Sequence, residues 1–488
     1  MKGDAAYVRW TVIASAACLS ALAVLLASGD AWRVPFQYGD DLMLVVQEPR
    51  HGFYLDDKVK SEGRWLVWGW HRFVLSAPAS FNFLLALGLW CAAMALFAWR
   101  LAAGTASLAF AVTLALAFNP HALMLMLWPN TTAPMMVVLV IAAALVVISG
   151  NRIWCLATAT AAGVMASMLA MQLFGFLIIA GALCGVVAHG LQLRANSFDT
   201  LKTGTAVIAA GVVGGLVGTL FAFVLNWLAF GIFGFEIAEW RYNSVGDAGR
   251  VELALQNIVD IVVVTVQAGG GVACVLACAA IAIMVFCSTT KPSMGVAFIT
   301  VIGVMLAVTI IPLATGTPVP SKRGGIVFWY GMVAAIVFVG IAFDRRLIAT
   351  IALLVSTGST AGGIPSLLAK ASKSWQADIS LLNDIEGAVS AMKPGASRMV
   401  VVGDGTQFEL LPEHSGFSTS RGDWWFDLLL TWRFEGEFQL PPKMCRSVAA
   451  CPDISEILEA AKAYPAGWPD PNFAFRVGDV LVVKLGHP

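Results

Sequence analysis

Apolar runs of about twenty residues recur along most of this chain, and they limit its fold more than any other feature. As helix, a run of that length crosses the roughly 30 Å hydrocarbon core of a bilayer, whereas barrel strands would show short alternating segments. The runs lie at 10–28, 80–99, 102–118, 132–149, 153–169, 172–189, 205–232, 257–287, 295–313, 325–343 and 347–364. They predict a polytopic α-helical membrane protein of about eleven transmembrane helices. A content of 59% hydrophobic and 12% charged residues over 488 positions leaves no soluble alternative. The first run follows Lys2 and Arg9 and is long for the core of a secretory signal peptide, so it reads as an uncleaved first helix.

Charge placement predicts the topology. With the amino terminus cytoplasmic, the short connections on that side hold Arg100, Arg152, Arg194 with Lys202, Lys291, and Arg345 with Arg346, as the positive-inside rule requires. The opposite loops, 29–79, 119–131, 233–256, 314–324 and everything after about residue 365, are longer and carry most acidic residues and tryptophans. This places the carboxy-terminal segment on the non-cytoplasmic side of the membrane. A net charge of zero offers no basic field for nucleic acid.

Two domains are expected: a transmembrane domain over residues 1–369, including the outer loop 29–79 with juxtamembrane helices, and a small soluble α/β domain over 370–488. In the latter, Trp375, Ile379, Leu382, Ile385 and Val389 recur at helical spacing, and Met399 to Val402 reads as a strand ending at Gly403. Trp424 to Trp432 and Ile454 to Ala461 read as helices, and Phe473 to Leu485 as a hairpin turning at Gly478-Asp479. Seven of nine cysteines lie in apolar runs, leaving Cys445 and Cys451 in polar sequence, with a spacing that suits a small disulfide loop in an oxidising compartment.

The first outer loop carries the residues best suited to chemistry. It contains Tyr38-Gly39-Asp40-Asp41-Leu42, a second acidic pair at Asp56-Asp57, and the tryptophan-rich stretch Gly63-Arg64-Trp65 through Arg72. A carboxylate at headgroup depth is partly desolvated, which raises its pKa and suits it to accept a proton from a hydroxyl. In an inverting sugar transfer one carboxylate deprotonates the attacking alcohol, while a departing phosphate needs cations. Arg64, Arg72, Lys322 and Arg323 are cations on the side where few are expected. Each has a plainer reading. Asp40 could simply cap a helix, Asp56 and Asp57 could form solvated pairs with nearby lysines, Arg64 could snorkel, Lys322 and Arg323 could anchor a helix end, and His71 is read as structural. Asp260, near the outer end of its run, is a weaker candidate should it face a cavity. The glycines at 211–218 and 269–271 read as close helix contacts.

A first helix followed by an outer loop with an aspartate pair resembles the GT-C superfamily of membrane glycosyltransferases. Tyr38-Gly39-Asp40-Asp41-Leu42 with Gly63-Arg64-Trp65 most resembles the serotype-converting O-antigen glucosyltransferases, and Asn119-Pro120, Trp128-Pro129, Met171-Gln172 and Pro320-Ser321-Lys322-Arg323 are similar to that family's weaker landmarks. The resemblance implies a donor sugar on polyprenyl phosphate, a hexose such as glucose, transferred in the periplasm to a hydroxyl of a cell-envelope glycan or lipid. It implies Asp40 as base, Asp41 supporting it or binding the acceptor, and Arg64, Lys322 and Arg323 at the donor phosphate. Tyr38, Asp56, Asp57, Trp65, Arg72 and Gln172 are further substrate-side candidates. The extra pair Asp56-Asp57 departs from the family pattern and leaves open which pair faces the substrate. No cofactor is required, and no third metal ligand is readable, although paired carboxylates would permit a divalent cation. A transporter or flippase of a lipid-linked polysaccharide precursor is the competing reading, against which stand the lack of a convincing internal repeat and of charge at depth.

Overall fold

A computed structural model describes residues 2–29, 54–73, 78–126, 128–236, 249–315, 321–392, 395–403, 430, 433–434, 436–440, 442–445, 454–467 and 470–485. These divide into two compact units, the first ending at Ser366 and the second continuing from Leu367.

The helices of the first unit are α1 (Lys2–Ser28), α2 (Tyr54–Glu62), α3 (Trp65–Phe73), α4 (Ala79–Leu101), α5 (Ala106–Ala117), α6 (Pro120–Leu125), α7 (Pro129–Ser149), α8 (Ile153–Met168), α9 (Leu173–Leu193), α10 (Ser197–Phe230), α11 (Arg250–Thr265), α12 (Gly271–Ser288), α13 (Pro292–Leu306), α14 (Ile310–Thr315), α15 (Ser321–Ala342) and the first part of α16 (Arg346–Met392). Every predicted apolar run falls on helix. Among the described residues, nine segments are long and apolar enough to cross a membrane, while α5 and α8, at 12 and 16 residues, are shorter. The chain is thus a polytopic helical membrane protein by length and composition.

Burial separates the inner helices from the outer ones. The apolar windows of α9 and α15 are 83% and 89% buried within the protein, against 28% for α1 and α10, whose exposed leucines and valines suit lipid. Small residues allow the close approaches. Gly214 and Gly218 of α10 lie against the backbone of α8 at Ala161 and Met165, as the glycine spacing predicts. The indole of Trp329 in α15 donates to the carbonyl of Ala115 in α5 at 2.8 Å.

Two predicted runs differ in form. The run at 257–287 is not one continuous helix, because a π-turn at Val266–Gly270 separates α11 from α12, with Gly269 at φ +84°. Its carbonyl accepts the Ser359 hydroxyl at 2.8 Å, and a Cβ on Gly269 would stand 2.7 Å from the Ser359 carbonyl oxygen. These glycines therefore form a break as well as a contact. Gly269→Ala is expected to lower stability by about 1–3 kcal/mol through combined backbone strain and overlap, read as a fall in the thermal midpoint of the purified protein. The last run does not end before Pro365, since α16 continues through it to Met392. A proline inside a helix deletes one hydrogen bond and bends the chain, and flanking helical turns can carry the helix past it.

In the second unit, β1 (Arg398–Val402), β2 (Lys443–Cys445), β3 (Ala474–Val477) and β4 (Val480–Lys484) form a sheet of order β2-β1-β4-β3. The central strand β1 runs parallel to β2 and β4, and β3 with β4 is the predicted hairpin, with Gly478 at φ +61° in its turn. Helix α17 (Ser455–Ala463) sets Ile457, Leu458 and Ala461 against Val400, Val402 and Val482. Leu382, Ile385 and Val389 of α16 are buried, in keeping with their helical spacing. Cys445 is buried and disulfide-bonded, while Cys451 and most of the predicted helix at 424–432 lie outside the described residues.

Candidate functional site

The segment between α1 and α4 that the charge pattern assigns to an outer loop ends in α2 and α3, joined by a tight turn. Gly63 makes that turn at φ +68°, and a Cβ there would lie 2.7 Å from the Phe235 ring, so only glycine fits both the dihedral and the space. Arg64 is buried and ion-paired with Glu62, which also takes Lys58 at 3.1 Å. Trp65 donates its indole N–H to Asn226 Oδ1 at 2.9 Å and stacks on Phe230. The three motif residues thus have separate jobs: turn, buried charge pair, and anchor.

Further bonds seat this hairpin on the bundle. Gln172 donates to the Glu62 carbonyl at 2.5 Å, the Leu66 N–H to the Leu169 carbonyl at 2.9 Å, and the Glu236 N–H to the Lys60 carbonyl at 2.9 Å. Asn226 is fully buried near the end of α10, and its amide donates to the carbonyls of Gly234 at 2.8 Å and of Val59 and Lys60 at 3.4 Å. It is not among the residues singled out from sequence. Its signal is a lone amide in a long apolar run, which must find partners because lipid supplies none.

The second acidic pair is not simply solvated. Asp56 accepts the Trp68 indole N–H at 2.8 Å and lies 3.7 Å from the Arg72 guanidinium, which sits over the Trp68 ring. The Asp57 carboxyl is held above its ordinary range by partial burial, helped by Glu236 and Asp56 and opposed by Lys60. Of the predicted residues, α2, α3 and the start of α9 therefore gather Asp56, Asp57, Arg64, Trp65, Arg72 and Gln172 at one end of the bundle. Tyr38, Asp40 and Asp41 lie outside the described residues, as do the side chains of Lys322 and Arg323, whose backbone forms the first turn of α15. Asp260 is exposed and accepts from Gln256 at 2.7 Å. Among the described residues no three His, Cys, Asp or Glu side chains gather as a metal set.

His71 tethers the other side of α3. Its Nε2 faces the Asn130 carbonyl at 3.1 Å, so that nitrogen carries the proton, and the Asn130 side chain in turn accepts from Asn82 at 2.5 Å. Burial lowers the His71 pKa below its ordinary 6.5, outweighing the Asn130 bond. The neutral ring therefore contributes stability above pH 6.5 that is lost as pH falls through the lowered value. Asp57, shifted upward, works in the opposite sense, its contribution fading as pH rises through its own raised value. Hydrogen exchange across Trp65–Phe73, corrected for intrinsic rates, is expected to quicken between about pH 7 and about pH 5. His71→Gln should remove that dependence, and unchanged protection in the unsubstituted protein would refute the tether.

The landmark pairs resolve into helix starts. Asn119 caps α6, its Oδ1 accepting from the His121 and Ala122 N–H groups at 3.0 and 3.3 Å, with Pro120 as first helical residue, and Pro129 starts α7 after Trp128. His121 lies inside the bundle, 2.8 Å from the Thr265 hydroxyl, where Gly325 leaves room for its ring. No protein-family model, curated protein or solved structure matches the chain.

Proposed function

We propose that this protein is an integral membrane glycosyltransferase of the GT-C kind that moves a hexose such as glucose from a polyprenyl-phosphate carrier to a hydroxyl of a cell-envelope glycan or lipid. Transfer takes place on the periplasmic side of a bacterial inner membrane, with the amino terminus cytoplasmic and the sheet domain periplasmic. The reading is carried by the first outer loop, in which the Asp40-Asp41 pair is followed by a hairpin of short helices held on the bundle end by Asn226, Gln172 and Leu169. Such a hairpin gives a surface loop the rigidity a reacting site needs. The raised Asp57 carboxyl supports the expectation that carboxylates here are partly desolvated.

In the proposed reaction the acceptor oxygen attacks the anomeric carbon as Asp40 takes its proton. The bond from that carbon to the phosphate oxygen breaks, and its electron pair leaves with polyprenyl phosphate. Lys322 and Arg323 stand in the first turn of α15, where the helix dipole adds to their charge in favour of the leaving phosphate. Arg64, already paired with Glu62, positions the hairpin and reaches the phosphate only if that pair opens.

The test is a proteoliposome assay with polyprenyl-phosphate [14C]glucose and a cell-envelope glycan acceptor. Label in the glycan with stoichiometric release of polyprenyl phosphate is the expected outcome. Movement of the intact donor across the bilayer without covalent transfer would establish the flippase reading in its place.

A further inference from the structure

At the far end of α4 from Asn82 and the α3 tether, a partly open cavity of about 190 Å³ is lined by Arg9 of α1, Trp99 and Arg100 of α4, Gly150 after α7, and Gly185 and His189 of α9. Among the described residues no carboxylate lines it. Arg100 is only 9% exposed, and its Nη1 donates to the Gly150 carbonyl at 2.6 Å. Its Nε and Nη2 are buried with no hydrogen-bond partner among the described residues, and Arg9 Nε is in the same condition. A buried guanidinium with idle donors is costly unless an anion completes it. Gly185 maintains the opening, since a Cβ there would stand 3.0 Å from Arg100 Nε.

We propose that this cavity binds a phosphate group, supplied by an anionic lipid headgroup or by a soluble phosphate. The guanidinium fork matches phosphate oxygens in a way an ammonium would not, and Arg9 and His189 add donors from two other helices. The volume falls below the ~300–1,000 Å³ of pockets that enclose whole small ligands. It suits a group inserted while the remainder of its molecule stays outside, which favours a headgroup over a free metabolite. Aromatic rings at the rim agree with interfacial depth: Trp99 lines the cavity, and the Arg9 guanidinium lies 5.0 Å from the centre of the half-exposed Trp10 ring. The site is independent of the sugar-transfer reading and lies about one helix length from the residues that reading uses.

The experiment uses the full chain in phosphatidylcholine nanodiscs, unsubstituted and as Arg9→Gln, His189→Gln and Arg100→Lys. Retention of titrated phosphatidylglycerol is followed by native mass spectrometry, and thermal unfolding is followed with inorganic phosphate. Expected is tight retention by the unsubstituted protein and roughly tenfold or greater weakening in Arg9→Gln and Arg100→Lys, about one charge-assisted hydrogen bond in magnitude. Stabilisation by inorganic phosphate, weakened by the same substitutions, would also support the site and identify a soluble source. Binding of both probes unaffected by all three substitutions, or of neither probe, would overturn it. Arg9→Gln and His189→Gln alter the cavity wall without removing the Arg100–Gly150 bond, so the test survives should Arg100→Lys fold poorly.

Discussion

Asp40→Asn is expected to lower sugar transfer by about 10²–10⁴-fold, the contribution of a positioned general base, while leaving the thermal midpoint near that of the unsubstituted protein. The asparagine keeps the shape and hydrogen-bonding capacity of the side chain but cannot take the proton of the acceptor hydroxyl. If Asp40 only caps a helix, asparagine caps as well as aspartate, and transfer would continue at its normal rate. That contrast separates the two readings in one substitution. The parallel variant Asp57→Asn decides between the acidic pairs. Asp57 has the raised pKa that suits a proton acceptor, yet the charges that set it include Lys60 of the hairpin itself and Glu236 of the segment after α10. Loss of activity in Asp57→Asn with full activity in Asp40→Asn would transfer the role of base to the second pair.

Asn226→Leu is expected to free the α2–α3 hairpin from the bundle while leaving the helices themselves assembled. The substitution keeps the number and branching of side-chain heavy atoms, but it deprives the Trp65 indole of its acceptor and the Gly234 carbonyl of its donor, while the Val59 and Lys60 carbonyls keep the N–H groups of Gly63 and Glu236. Each buried polar group so orphaned costs about 1–3 kcal/mol, which the hairpin recovers by moving toward water. Exchange across residues 54–73 should then quicken by roughly 10–100-fold, since each 1.4 kcal/mol corresponds to a factor of ten. Transfer activity should fall with it, because a reacting group displaced by an ångström loses most of its advantage. Unchanged exchange would show that Gln172, Leu169 and the His71–Asn130 bond hold the hairpin without Asn226.

The helices were legible in the sequence because the signal for each is local. A run of apolar residues has to become helix in lipid, whatever its neighbours do. The β1 strand, the β3–β4 hairpin and α17 were legible for a similar reason, since alternation, a Gly-Asp turn and a 3.6-residue period are properties of short segments. Less was legible where the outcome depends on what lies opposite. The last apolar run ends at 364, yet α16 continues through Pro365, and Gly269 reads as a contact, yet it breaks its helix against Ser359.

The candidate site divides along the same line. Sequence alone selected Asp56, Asp57, Arg64, Trp65, Arg72 and Gln172, and the Gly63-Arg64-Trp65 motif proved to be a turn, a charge pair and an anchor. It could not show that Arg64 is matched by Glu62, that a single amide in α10 collects four hydrogen bonds from the hairpin and the segment after α10, or that Arg9, Arg100 and His189 converge on one cavity. Hydropathy and turn chemistry act over a few residues and are written in order along the chain. The pairing of a buried charge or amide is decided by which helices come to lie side by side, and the Asn226 amide lies 167 positions from the Val59 carbonyl it bonds.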